Sequence, residues 1–258
     1  MTCGGSTCPC SAPGVEIGFI DGDVRIKKYS VGNWVNTTNK CTSGWKNEVD
    51  TWMNDLRFFG NNYGNSNFDT VTWVGSAGMY TAKDGCHGKG RAFDLEYVKW
   101  NGTNLNIYAG GSGPYPWQAS ASRTTRRLYL AVDASPRKYF KYVLDGWYGN
   151  IAGGSAASHK FHIHMENHST PVLDRTNISS AAFVQAVCNN FNFAGLTIDG
   201  NWGPLTENAF DDINAAWSYS TSTCNPFTNV SNYRDWLNLV IKHGFADQAA
   251  GHYTSSTC

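Results

Sequence analysis

The most constraining stretch of this chain is Cys-His-Gly-Lys-Gly-Arg-Ala-Phe-Asp-Leu, residues 86–95. His87 and Asp94 lie seven residues apart in it, and a helix would place them roughly on one face. The two glycines between them disfavour a helix. We therefore predict a loop that carries His87 and leads into a strand over residues 91–98. Such a hairpin brings an imidazole and a carboxylate together at one point.

A second group of histidines follows in His-Lys-Phe-His-Ile-His, residues 159–164. His162 and His164 are two residues apart, so on a strand both side chains point the same way. Two imidazoles and one carboxylate leave the fourth position of a tetrahedral zinc ion open for water. That is the arrangement of catalytic rather than structural zinc. Together the two stretches predict a zinc site of two histidines and one aspartate.

The pattern His-x-x-Gly-Arg-Ala-x-Asp followed by His-x-His resembles the zinc D-alanyl-D-alanine carboxypeptidases and related peptidoglycan endopeptidases. The hedgehog signalling domain carries the same metal-site pattern. In that family the metal ligands are the His and Asp of the first motif and the last His of the second. The resemblance implies that His87, Asp94 and His164 bind Zn²⁺ in this chain.

The same resemblance implies candidates for the catalytic base and the oxyanion donor. In the carboxypeptidases a His-x-x-His-x-His segment supplies such groups, and here it places His159 and His162 in catalytic roles. Related endopeptidases use an acidic residue, which makes Glu166 a rival base. The choice among these three residues stays open at the level of sequence.

Substrate binding is the point at which this chain departs from the family. The carboxypeptidases hold the terminal carboxylate of the substrate with an upstream Arg, and no Arg lies between Arg57 and Arg91 here. Lys83 and Arg91 are therefore the candidates for substrate binding. Strict D-Ala-D-Ala carboxypeptidase action is weakened by this difference. An endopeptidase that cuts inside the peptide stem or cross-bridge fits equally well.

Charge and hydropathy exclude several kinds of partner. Lys and Arg together number 20, as do Asp and Glu, so no net field steers the chain to nucleic acid or to an anionic membrane. The sequence contains no run of 18 apolar residues, so it predicts no transmembrane helix. We expect a monomer whose partner is peptidoglycan, with no nucleic acid and no membrane. Because the chain starts without a signal peptide, we expect the mature region of a secreted, extracellular protein.

Eight cysteines, an even number, predict disulfide bonds formed in an oxidising compartment. None of them forms the Cys-x-x-Cys spacing of a zinc knuckle. Sequence cannot settle their connectivity. The pairs that we expect are Cys41 with Cys86, which would brace the loop of His87, and Cys188 with Cys224.

The first two-thirds of the chain, residues 1–170, is predicted to be an α+β domain with a small antiparallel sheet that carries the zinc site. Apolar residues at helical spacing predict an amphipathic helix over residues 43–59. Alternating patterns predict strands over 24–29, 31–35 and 71–80. Two further helices are predicted over 123–132 and 136–147, the second opened by its proline.

Residues 178–258 have a different texture and predict a small all-α domain of three helices. Helical patterns cover residues 181–191 and 233–243, and a third helix opens at Gly203-Pro204. The turn between the first two helices resembles the peptidoglycan-binding module of bacterial cell-wall hydrolases. Its motif residues are Asp199, Gly200, Gly203 and Thr206. The resemblance implies a module that localises the enzyme on its insoluble substrate.

These observations predict a secreted zinc metallopeptidase that hydrolyses peptide bonds of cell-wall peptidoglycan by means of a zinc-activated water. One alternative is a non-catalytic, zinc-bearing cell-wall binding protein of the hedgehog type. The peptidoglycan-binding-like region argues against that alternative. Another is a disulfide-rich structural protein of the wall whose histidines are incidental.

Overall fold

The structure, a computed structural model, describes residues 14–79, 86–111, 113–166 and 171–247. The β-strands are β1 Val15–Ile17, β2 Phe19–Ile20, β3 Val24–Ser30, β4 Asn33–Asn36, β5 Asn39–Cys41, β6 Val71–Gly78, β7 Ala92–Trp100, β8 Asn104–Asn106, β9 Tyr142–Leu144 and β10 Ile163–Glu166. The α-helices are α1 Ser43–Tyr63, α2 Arg123–Arg137, α3 Gly146–Ala152, α4 Ile178–Phe191, α5 Pro204–Ala216 and α6 Val230–Ala246. Within the described residues, no helix has both the length and the apolar character needed to cross a membrane.

Two sheets form, and the larger one is not the small antiparallel sheet predicted from sequence. It has eight strands in the order β2-β3-β6-β7-β10-β9, with β4 added to β3 and β8 to β7, and it curls into a half-barrel. Its β3 and β6 pair in parallel, whereas β1 and β5 form a separate antiparallel pair. Parallel strands need a long connection, and here that connection includes α1. The mixed α and β composition is confirmed, and the size and the purely antiparallel pairing of the sheet were predicted wrongly.

Helix α1 confirms the amphipathic pattern read from the sequence. The side chain of Thr42 caps its first turn by accepting a hydrogen bond from the backbone N–H of Trp45 at 3.2 Å. The apolar face then enters the core with five fully buried side chains: Trp45, Val49, Trp52, Met53 and Leu56. These tryptophans are core residues, as their spacing predicted.

The helix predicted over residues 136–147 is absent. Pro136 lies in the last turn of α2 instead, and β9 and α3 follow it. Proline lacks the N–H that would bond the carbonyl of Val132 four residues earlier. The hydroxyl of Ser135 donates to that carbonyl at 2.8 Å, so the helix tolerates the proline. Asp145 then caps α3 by accepting from the N–H of Tyr148.

A buried arginine ties α2 to the elements that follow it. The guanidinium of Arg137 contacts the carboxylates of Asp133 and Asp145 at 3.1 and 2.8 Å, and it donates to the hydroxyl of Ser179 at 3.2 Å. Buried charges persist only when they are paired, because the unpaired charge would pay the full cost of desolvation. This cluster therefore fixes α2, α3 and α4 relative to one another.

The three C-terminal helices that were predicted from the sequence are confirmed as α4, α5 and α6. They share one hydrophobic core with α1 and α2. A Cβ on Gly244 of α6 would lie 2.5 Å from the carbonyl oxygen of Arg127 in α2, so the two backbones approach closely. Arg127 also pairs with Asp247 at 2.5 Å. The domain boundary near residue 170 and the independence of the C-terminal region stay predictions.

The turn between α4 and α5 is held by a glutamine of α4. The side-chain oxygen of Gln185 accepts from the N–H groups of Asp199 and Gly200, and its nitrogen donates to the Asp199 carboxylate at 2.8 Å. Gly200 has a φ of +72°, a conformation that side chains with a Cβ rarely adopt. Thr206 accepts from Gln185 as well. The motif residues of this region therefore shape the turn.

Both disulfide pairs that we expected from sequence are wrong. Cys41 and Cys188 are free, buried thiols, and burial raises their pKa values to about 11 and about 12. Cys86 and Cys224 do take part in disulfide bonds. No disulfide joins two cysteines within the described residues. Cysteine pairing depends on which loops meet in space, and sequence spacing does not contain that information.

Candidate metal centre

Two adjacent strands and one loop place the predicted ligands together. His164 of β10 lies directly opposite Asp94 of β7 in the antiparallel register. His87 begins a short 3₁₀ turn, His87–Lys89, and Gly90 closes this turn in the left-handed conformation with φ +61° and ψ +39°. Glycine adopts that conformation without steric cost. The predicted loop that turns on a glycine into a strand is therefore present.

The ligand atoms of His87, Asp94 and His164 are close enough to share one metal ion. The Nε2 atom of His87 lies 3.3 Å from Nδ1 of His164 and 3.2 Å from Oδ2 of Asp94. Nδ1 of His164 lies 2.7 Å from Oδ1 of Asp94. Zinc bonds of about 2.0–2.1 Å in a tetrahedron separate neighbouring ligand atoms by roughly 3.3 Å. The separation of the two histidine nitrogens matches that edge, whereas His87 and His164 contact different oxygens of Asp94, at 3.2 and 2.7 Å.

Both candidate histidine ligands also have an acceptor near their outer nitrogen. Nδ1 of His87 lies 3.3 Å from the carbonyl oxygen of Met79. Nε2 of His164 lies 3.4 Å from Oε2 of Glu166. Metal-binding histidines commonly donate their second N–H to a carbonyl or a carboxylate, which fixes the ring and its tautomer. The donor set and its supporting contacts therefore fit a zinc ion.

The close contacts among these side chains shift the pKa values of Asp94 and His164. Burial alone would raise the pKa of Asp94, but hydrogen bonds from His164 and His87 hold it well below its usual range. Burial alone would lower the pKa of His164, but hydrogen bonds to Asp94 and Glu166 raise it to about 9. Asp94 is thus an anion ready to bind a cation, and His164 carries a proton that a metal ion would displace.

The two non-ligand histidines lie beside this cluster. His162 has an extended backbone immediately before β10, and its Nε2 lies 3.4 Å from Oδ1 of Asp94. Burial is the main cause that lowers the pKa of His162, to about 4, so its ring is neutral at physiological pH. His159 lies in the last turn of the 3₁₀ segment Gly154–Phe161. The centroid of its ring lies 5.1 Å from that of His162 and 5.5 Å from that of His164. Its Nδ1 donates to the carbonyl of Ala156 at 2.8 Å.

A second grouping of three histidines could also hold a metal ion. His159, His162 and His164 each offer one ring nitrogen, and these three nitrogens lie within 4.8 Å of one another. That grouping lacks a carboxylate, whereas the first one contains Asp94 and direct side-chain contacts between each pair of its three residues. We therefore favour the first grouping, in which His159 and His162 remain available for proton transfer.

Only one of the two residues predicted to bind substrate, Arg91, lies within the described residues. The guanidinium of Arg91 lies 3.9 Å from the carboxylate of Glu48 in α1, and its Nε is buried with no hydrogen-bond partner. Lys83 lies outside the described residues. The involvement of either residue in substrate binding stays a prediction.

Sequence reasoning missed one carboxyl group near the site. Glu96 lies where the pairing of β6 with β7 shifts, because Gly75 pairs with Tyr97 while Ser76 pairs with Leu95. This β-bulge leaves Glu96 without an opposite residue. Burial, with the nearby charge of Asp94, raises its pKa to about 7. Its position two residues after Asp94 was the only signal in the sequence.

Comparisons of this chain with protein-family models, with curated proteins and with solved structures found no match.

Proposed function

We propose that this protein is a secreted zinc-dependent peptidase that hydrolyses peptide bonds of bacterial cell-wall peptidoglycan. The observation that supports it is the spacing of the ligand atoms of His87, Asp94 and His164 at 2.7–3.3 Å. When bound, zinc supplies a Lewis acid that lowers the pKa of water and polarises a carbonyl group. Such a site suits the hydrolysis of amides.

The chain's own residues supply the remaining requirements of such a reaction. His162 is half-buried and neutral, and its Nε2 lies 3.4 Å from the carboxylate of Asp94, so it can accept a proton or donate one to an oxyanion. His159 keeps its Nε2 available because Nδ1 is engaged by Ala156. Glu166 contacts the outer nitrogen of His164, which suits it better to orienting that ligand than to acting as the base.

The proposed substrate class rests on the motif resemblance in both parts of the chain. The wall-peptidase pattern lies at residues 87–94 and 162–164, and the peptidoglycan-binding-like turn lies at residues 199–206. Attachment to the wall by the C-terminal helices would raise the local concentration of peptide bonds at the metal centre.

Digestion of purified wall sacculi tests this function directly. Wild-type protein loaded with zinc should release fragments that mass spectrometry identifies, either free D-alanine from a carboxypeptidase or, from an endopeptidase, stem-peptide fragments or glycan strands with uncrosslinked stem peptides. The His164→Ala protein is the matched control and should release neither. A zinc-loaded wild-type protein that releases no fragment would contradict the proposal and leave the non-catalytic binding protein as the better interpretation.

A further inference from the structure

Five aromatic rings form a continuous layer on the larger sheet, and we call them the aromatic platform. They come from β3, β4, β6, β7 and the segment after β8: Tyr29, Trp34, Trp73, Tyr97 and Tyr108. Trp73 and Tyr97 stack almost parallel, with ring centroids 4.5 Å apart. Trp34 lies 5.6 Å from Trp73 and 5.3 Å from Tyr97, and Tyr29 links Trp34 to Tyr108 at 5.4 and 5.0 Å.

The aromatic platform lies on the same face of the sheet as the candidate metal centre. Leu95 and Val98 of β7 are both fully buried although they are three residues apart. The β-bulge at Glu96 explains this, because its extra residue shifts the alternation of side chains by one position. Leu95 and Val98 therefore point to the same face of the sheet. Asp94 and Tyr97 consequently both point away from the core. The platform therefore continues from the strand that carries a metal ligand.

The arrangement of the rings depends on one glycine. Trp34 lies directly over Gly75 of β6, where an added Cβ would come within 2.3 Å of the indole ring. Only a residue without a side chain leaves room for an indole against the sheet at this position. The rings nevertheless keep access to solvent: Tyr29 is 38% exposed, and the other four are partly exposed.

Two lysines lie beside the rings. The ammonium group of Lys27 lies 4.5 Å from the centroid of the Trp73 ring. Lys99 is the register partner of Trp73 on β7. The surface therefore combines aromatic rings with two ammonium groups, and it suits a ligand that has flat apolar faces and oxygen atoms that accept hydrogen bonds.

We propose that the aromatic platform binds the glycan strand that carries the peptides cut at the metal centre. Sugar rings present C–H faces that pack on tryptophan and tyrosine, and their hydroxyl and amide oxygens can accept hydrogen bonds from the lysines. The shared face would place a bound glycan beside Asp94, so the attached peptide reaches the metal centre. This inference rests on the proposed function for its substrate class, and its binding step is independent of hydrolysis.

Peptide-free glycan strands, isolated from sacculi, are the probe that tests the platform. Their affinity is measured by isothermal titration calorimetry with wild-type protein and with Tyr29→Ala, Trp34→Leu and Trp34→Phe. We expect Tyr29→Ala and Trp34→Leu to weaken binding by about tenfold or more, since each removes a ring on which a sugar face packs. Trp34→Phe keeps a ring and should retain more of the affinity. Phe58→Ala removes a ring that is 52% exposed on α1 and should bind like wild type.

Thermal melts show whether each variant is folded. If Trp34→Leu fails to fold, the exposed Tyr29 decides the question. Wild-type protein that does not bind the glycan, or a folded Tyr29→Ala protein that binds it as wild type does, would overturn the inference. Failure of the sacculus digestion would contradict only the proposed hydrolysis, because glycan binding that depends on the platform would still be measured.

Discussion

The Nε2 atom of His87 lies 3.3 Å from the Nδ1 atom of His164, although the two residues are 77 positions apart in sequence. Their outer nitrogens face the carbonyl of Met79 and the carboxylate of Glu166. The two inner nitrogens are therefore directed to one point, where Asp94 offers a carboxylate oxygen as the third candidate ligand atom. The fold holds this arrangement through strand pairing on one side and a glycine-closed turn on the other.

The first prediction concerns the identity of the ligands. His87→Ala, Asp94→Ala and His164→Ala should each lose most of the bound zinc, because each removes one of only three protein ligands. Elemental analysis after dialysis against a weak chelator measures the stoichiometry. His159→Ala should retain the metal and serves as the control. If His159→Ala loses zinc while His87→Ala keeps it, the all-histidine grouping is the metal site.

A second prediction separates support of a ligand from catalysis. Glu166→Ala removes the carboxylate that accepts from the outer nitrogen of His164, and it should weaken zinc affinity by about 10–100-fold. Glu166→Gln retains an acceptor oxygen and should lose less. Competition with a chromophoric chelator gives the two affinities. A Glu166→Gln protein with full zinc affinity and no turnover would identify the carboxylate as the base instead.

The third prediction concerns the neutral histidine beside the ligands. His162→Ala should keep its metal and lose turnover by about a hundredfold or more, as expected for a group that transfers a proton. His159→Ala should show a similar or weaker defect. Initial rates on a soluble stem peptide, measured together with zinc content, distinguish these roles. Wild-type rates in both variants would remove the two histidines from the mechanism.

Much of the site could be predicted from the sequence, because two local features determine it: the alternation of side chains along a strand and a turn that is closed by glycine. Side chains of a strand alternate, so the facing positions of His162 and His164 follow from their separation of two. Gly90 indicated the turn that presents His87, since its left-handed conformation favours glycine. These are local properties, and a single sequence contains them.

Long-range features could not be predicted in the same way. The parallel pairing of β3 with β6 depends on the path of the chain through α1, and the cysteine pairing depends on which loops meet. The prediction of a helix that begins at Pro136 was wrong because α2 continues through this proline. The hydroxyl of Ser135 replaces the hydrogen bond that Pro136 cannot donate. The β-bulge at Glu96 is equally hidden, and it alone brings Tyr97 onto the face of Asp94.

The fourth prediction tests the close approach of α6 to α2. In Gly244→Ala the new methyl group would lie 2.5 Å from the Arg127 carbonyl oxygen and 2.6 Å from Cβ of Ala131, so the helices must separate. Overpacking of this kind costs about 1–3 kcal/mol of unfolding free energy. Gly44→Ala in α1 meets nothing within 4 Å and should be neutral or stabilising by up to about 1 kcal/mol. Urea denaturation compares the two, and equal stabilities would contradict the observed packing.

The last prediction concerns acid sensitivity of the ion pair between Arg175 and Glu207, which joins the segment before α4 to α5. Arg175 donates to both carboxylate oxygens of Glu207, at 3.0 and 2.6 Å. These hydrogen bonds lower the pKa of Glu207, against a smaller opposing effect of burial, and the indole N–H of Trp202 adds to the shift. A carboxylate with a lowered pKa stabilises the folded state above the unfolded pKa of about 4.3.

That stabilisation is lost as the pH falls through the lowered pKa of Glu207. Both side chains are more than a third exposed, so the contribution at neutral pH is at most about 1 kcal/mol. Glu207→Gln should therefore melt slightly below wild type at pH 7, and the difference should vanish near pH 2. Asp212→Asn, an exposed carboxyl on the same helix, should change little at either pH. A melting difference for Glu207→Gln that persists unchanged in acid would show that the ion pair is not its cause.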